Sequence, residues 1–116
     1  MVKKEYAPER GDIVWMNFNP QSGHEQKGKR PAVVLSPKEY NEKTGLGLFC
    51  PITSKVKNYP FEVKLESKKI DGVVLSDQIK SLDWKTRKVE FIAKITPEKI
   101  DEVADKISLL LFEEST

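Results

Sequence analysis

Arg30 stands directly before Pro31, at the mouth of the apolar run Pro-Ala-Val-Val-Leu-Ser over residues 31–36. Proline fixes its own φ and restricts the residue before it, so the guanidinium projects from a comparatively rigid point. Thr53 closes a second apolar run, Leu46 to Thr53, just before the basic stretch Ser54-Lys55-Val56-Lys57. A further basic loop, His24-Glu25-Gln26-Lys27-Gly28-Lys29-Arg30, leads into Arg30 and contains one carboxylate, Glu25. An arginine fork, a hydroxyl, a carboxylate and lysines on one rim would suit a polyanion. They meet there if the two apolar runs pair as an antiparallel hairpin, because the start of one then lies beside the end of the other. Taken alone, the same loops read as solvated surface in a chain that is 33% charged.

The elements that must position these residues are short and β-branched. The sequence predicts strands over Asp12 to Phe18, Pro31 to Ser36, Leu46 to Thr53, Pro60 to Leu65, Gly72 to Asp77 and Lys88 to Ile95. Phe61, Val63 and Leu65 alternate with charged residues, the period of a half-buried strand. Pro37 to Gly45 predicts a polar connection with one helical turn. Gln78 to Arg87 reads either as a strand extension or as a turn of helix. Thr96-Pro97 opens a helix, with threonine as N-cap and proline at the first helical position. Ile100, Val103, Ala104, Ile107, Leu110 and Leu111 then form one apolar stripe. The fold class is mainly β with a C-terminal helix, a small and partly open barrel or a curled sheet.

The 116 residues fit one domain over 1–116, and a net charge of +2 excludes a polybasic tail protein. That charge is unevenly placed. Residues 1–60 carry ten Lys and Arg against six Asp and Glu, whereas residues 61–116 carry ten against twelve. One cysteine and one histidine leave no ligand set for an ordinary zinc site, so no metal and no cofactor are expected. Cys50 lies within a strand and reads as a small core residue. Without an apolar leader or a membrane-length apolar run, a cytoplasmic location is expected.

Six stretches together resemble one family. They are Gly11 to Trp15, Gly23 to Gln26, Lys29 to Pro37, Pro51 to Thr53, Tyr59 to Val63 and Val74 to Gln78. In order and spacing they are similar to the MazF/PemK toxin endoribonucleases, and Asp77 to Trp84 looks closest to the MazF branch. The resemblance implies an SH3-like barrel of the CcdB/MazF type that forms a homodimer. It implies the toxin of a type II toxin-antitoxin system, a sequence-specific and metal-independent endoribonuclease that cleaves single-stranded mRNA and arrests growth. It also implies a cognate antitoxin whose flexible acidic segment covers the RNA surface.

Arg30 and Thr53 match the family's catalytic arginine and threonine. Cleavage by the neighbouring 2′-OH needs a cation at the non-bridging oxygens and a base at the hydroxyl. Arginine is a poor proton donor, so Arg30 is assigned to charge stabilisation and Thr53 to the phosphate or the 2′-OH. Glu25 is the candidate base, read against an ordinary surface pair with Lys27 or Lys29. RNA contacts are expected from Asn17, His24, Gln26, Lys29, Lys55, Lys57, Asp77 and Gln78. Asp77 and Gln78 have the alternative of bonding loop backbone. Trp15, Phe91, Leu110 and Leu111 read as core, and Trp84 as dimer contact or partner surface. Two other functions stay open: a non-catalytic toxin of the same fold acting on a protein such as DNA gyrase, and an SH3-like binding module. Arg30-Pro31 with Thr53 favours cleavage.

Overall fold

The structure is a computed structural model that describes residues 5–18 and 28–112. Along the chain the elements are β1 (Asp12–Asn17), β2 (Lys29–Val34), α1 (Lys38–Thr44), β3 (Leu46–Thr53), β4 (Glu62–Lys64), β5 (Val73–Leu75), β6 (Lys80–Asp83), β7 (Glu90–Lys94) and α2 (Pro97–Phe112). All the strand pairings are antiparallel, in the order β4-β5-β3-β2-β1-β7, with β6 also on β3. The segment that read two ways resolves into β6 followed by a turn. The connection expected to hold one helical turn holds the seven-residue helix α1. It ends at Gly45, whose φ of 74° is the left-handed conformation that glycine adopts most easily at a helix C-terminus.

Successive strand residues point to opposite faces, and here both faces are apolar. Ile13 and Val33 enter one core with Cys50, Ile52, Val63, Leu65 and Val74. Their neighbours Val14, Ala32 and Val34 enter a second core with Met16, Phe49 and Trp84. The helix α2 seals the first core with Val103, supported by Ile100 and Ile107. Thr96 caps it as expected: its Oγ1 accepts the Lys99 N–H at 3.4 Å.

Trp84 is therefore core, not a partner surface. It is 6% exposed, and its indole N–H donates to the Asn41 carbonyl at 3.0 Å. Asn41, wholly buried, organises this corner. Its amide donates to the carbonyls of Pro8 (2.8 Å) and Ser36 (3.0 Å), and its Oδ1 accepts the Ser36 hydroxyl at 2.6 Å. A buried asparagine so fully satisfied costs little and fixes one arrangement of its neighbours.

Three residues expected in the core are not there. Phe91 is 49% exposed, and Leu110 and Leu111 are 55% and 67% exposed. The apolar stripe of α2 continues past the last strand that can cover it. At Phe91 a bulge between Ile13 and Val14 shifts the β1–β7 register, and the ring packs edge-on to Tyr6.

Candidate active site

The site begins where a ladder stops. In the β2–β3 pair Ala32 lies opposite Pro51, and Leu35 N–H donates to the Leu48 carbonyl at 2.8 Å. Antiparallel ladders bond at alternate positions, so the bonding pairs run 35/48, 33/50 and 31/52. Position 31 is proline and has no N–H to give to the Ile52 carbonyl. The two strands part there. Ile52 and Thr53 pair instead with Val74 and Val73 of β5. Pro51 faces its missing N–H to the other edge of β3, where pairing passes from β6 to β5.

The parting opens a cleft of about 470 Å³, lined by Arg30, Pro31, Pro51 and Thr53 together with Trp15 and Lys55. The last β2–β3 pair is Ala32 with Pro51, and the residues just beyond it, Arg30 and Thr53, both line the opening. The hairpin geometry expected from the sequence is thus present, and it brings Arg30, Thr53 and Lys55 to one rim. In Pro31→Ala the restored N–H is expected to reach the Ile52 carbonyl and narrow the cleft. Stability should change by no more than about 1 kcal/mol, because the bond gained offsets the lost chain stiffness. Hydrogen exchange of that new amide is the check, and free exchange would count against a proline-held opening.

A second hollow of about 560 Å³ continues from the first, sharing Thr53, Lys55, Leu75 and Gln78 and adding Lys57, Asn58, Tyr59, Glu62 and Asp77. The carboxylates of this groove are partly occupied. Glu62 accepts the backbone N–H of Lys57 at 3.0 Å, and Asp77 Oδ2 accepts the Tyr59 hydroxyl at 2.7 Å. Among the described residues none of Arg30, Lys55 and Lys57 forms an ion pair with them. The Thr53 hydroxyl accepts the Lys55 N–H at 3.1 Å, which orients it and leaves its own proton to donate. Among the described residues these cations form no ion pair, and they lie beside an oriented hydroxyl, an arrangement whose chemistry suits a polyanion.

The other expected contacts divide. Gln78 is exposed in the groove, and Asp77 bonds Tyr59 rather than loop backbone. Asp77 also adds its charge to the effect of burial on Cys50, whose thiol is pushed up to about 12. Asn17 and Lys29 do not line the groove. Asn17 is 8% exposed, and its carbonyl accepts from Arg87 at 3.3 Å, while Lys29 pairs with Glu90 at 2.9 Å. Glu25, His24 and Gln26 lie outside the described residues. Tyr59 and Asn58 were not singled out from the sequence, although an aromatic residue inside a basic loop was a visible signal.

A mainly antiparallel β-sheet capped by one C-terminal helix, with a cationic cleft at the parted end of two strands, defines the CcdB/MazF-like class of fold. A chain of the crystal structure of MazE-MazF (Form-II) from Deinococcus radiodurans superposes with a TM-score of 0.84 at 43% identity. The match covers 95% of this chain and 100% of that one. Residues 9–111 match the family described as PemK-like, MazF-like toxin of type II toxin-antitoxin system, and the chain belongs to that family. Among curated relatives, the endoribonuclease toxin MazF of Escherichia coli (strain K12) is 46% identical over 91% of this chain and 96% of its own. Endoribonuclease PemK of Escherichia coli is 31% identical over 96% of this chain and 87% of its own, so the MazF branch is the nearer of the two.

Proposed function

We propose that the Arg30–Thr53 cleft cuts single-stranded RNA by attack of a 2′-OH on the adjacent phosphorus, without a metal. The enzyme class, endoribonuclease, and the role as a toxin with an antitoxin follow from the family. The observation that carries the mechanism is the parted β2–β3 end, where Arg30, without an ion pair among the described residues, and the oriented Thr53 hydroxyl line one cleft.

In the reaction the 2′-oxygen bonds to phosphorus and the P–O5′ bond breaks, leaving a 2′,3′-cyclic phosphate and a 5′-OH. Negative charge builds on the non-bridging oxygens, where the forked donors of Arg30 stabilise it. Thr53 donates to the phosphate and sets its position. Glu25 takes the proton from the 2′-OH, and solvent water supplies one to the departing 5′-oxygen. DNA lacks the nucleophile, so the chemistry selects RNA without a contact devoted to that choice. Lys55, Lys57 and Gln78 continue the track along the strand. Cutting mRNA would stop translation and growth. The antitoxin's acidic segment would compete for the same lysines. A second copy of the chain would bury the apolar end of α2, where Leu109, Leu110, Leu111 and Phe112 are exposed.

The test is incubation of the purified protein with a long single-stranded RNA in excess EDTA, with the new ends mapped. Cuts at a short recurring sequence, leaving 5′-OH and cyclic phosphate ends, are expected. RNA left intact at high enzyme concentration, or cuts made only when a divalent metal is added, would overturn the reading.

A further inference from the structure

The hollow beyond Thr53 has one wall that the cleavage chemistry does not use. Tyr59 is 46% exposed, a large aromatic surface left in water beside Lys55 and Lys57. Its position is over-determined. Asn58, at a φ of 59°, turns the chain in the left-handed region. The Glu62 carboxylate ties down the Lys57 N–H (3.0 Å) and lies 3.4 Å from the Tyr59 N–H. The Tyr59 carbonyl accepts the Glu62 N–H at 3.0 Å. Lys106 of α2 reaches the next carbonyl, that of Pro60, at 2.7 Å. The ring itself leans on Phe61, with centroids 5.7 Å apart, and its hydroxyl is held by Asp77 at 2.7 Å. Burial does not account for this anchoring, because the ring remains half in solvent.

We infer that Tyr59 is the stacking platform for one base of a single-stranded RNA, with Asp77 as its positioning residue; this rests on the RNA reading proposed above. Grooves that hold single strands combine backbone-tracking cations with aromatic faces on which bases stack. Here the cations and the ring line one hollow, continuous with the Arg30 cleft. A ring clamped at its hydroxyl and at its backbone loses little freedom when a base settles on it. The carboxylate of Asp77 also holds the phenol in its neutral, hydrogen-donating form, since that bond, with smaller effects of desolvation and charge, raises its pKa. Tyr59 would thereby fix the register of the strand against the phosphate at Arg30, a positioning role separate from the bond-breaking one and tolerant of base identity.

Anisotropy with two labelled probes tests this. One is a short 2′-O-methyl RNA of mixed sequence, which lacks the nucleophile and cannot be cut. The other is the same backbone without bases. Tyr59→Leu should weaken binding of the first probe by roughly 5- to 150-fold and leave the second unchanged. Tyr59→Phe, which keeps the ring but loses the bond to Asp77, should fall between the parent and Tyr59→Leu on the first probe and match the parent on the second; binding equal to the parent on the first would remove Asp77 from the proposal. Lys55→Ala should weaken both, with a loss that shrinks as salt rises, whereas the Tyr59→Leu loss should persist. Equal losses of Tyr59→Leu on both probes would mean a collapsed loop and overturn the proposal. So would no loss on either, or a loss confined to binding of an acidic antitoxin peptide. A parent protein that passes this test yet leaves unmodified RNA uncut would sink the cleavage reading alone. One that cuts RNA while Tyr59→Leu binds normally would sink the platform alone.

Discussion

Arg30→Ala lowers the rate of RNA cleavage by on the order of 10²–10³-fold, the loss typical when one preorganised donor to a developing oxyanion is removed. The melting temperature should stay where it is. Arg30 is exposed and, among the described residues, makes no hydrogen bond or ion pair that the fold would miss. Surface changes of this kind fall within about 0.5 kcal/mol. Arg30→Lys separates charge from shape: it keeps the cation and loses the fork, so its rate should fall between the two. Single-turnover cleavage of one RNA by the three proteins, with thermal melts of each, is the measurement. A fully active Arg30→Ala would remove the residue from the chemistry.

The second large effect is expected at a residue that touches no substrate. Gly72 has a φ of 137°, and a Cβ built on it would lie 2.4 Å from the Thr53 carbonyl oxygen. The next residue, Val73, pairs with Thr53 itself. Gly72→Ala must push β5 away from β3 or push Thr53 off its place. Strained φ and overpacking together should cost roughly 2–5 kcal/mol. For a chain of this size that is a fall of roughly 10–25 °C in Tm. Molecules that remain folded should also cut slowly, since a misplacement of about 1 Å near the chemistry can cost on the order of 100-fold. Gly45→Ala is the control. Its φ is also positive, at 74°, but nothing lies within 4 Å of the added carbon. It should cost about 1 kcal/mol and leave cleavage unchanged. If the two variants behave alike, the close approach at Thr53 does not matter.

Much of this was legible in the sequence for identifiable reasons. The strand Leu46 to Thr53 was bounded by turn residues on both sides, and its predicted limits are the observed ones. Antiparallel pairing of that strand with β2 brings Arg30 and Thr53 to one cleft, as hairpin geometry implies. Pro31 was equally visible, but its effect was not. Whether a missing N–H weakens a ladder depends on which edge it faces, and only the register decides that. Leu110 and Leu111 fit the helical stripe, yet periodicity describes the helix and not the extent of the sheet beneath it. Trp84 sat in a segment of mixed pattern, and its partner, the Asn41 carbonyl, belongs to a helix 43 positions away. Tyr59 follows a loop whose visible signal is charge, and only the folded loop shows its ring beside Lys55 and Lys57.

Cys50 is the chain's only cysteine and is completely buried, and burial, with the charge of Asp77, pushes its thiol up to about 12. Near neutrality the folded protein therefore offers no thiolate to an oxidant, an alkylating agent or a mixed disulfide. Its chemistry on RNA is insulated from redox poise. The same insulation makes the native background silent for labelling: a cysteine introduced by Lys57→Cys or Gln78→Cys would be the one reactive sulfur, and a fluorophore there would report on the groove as strands enter and leave.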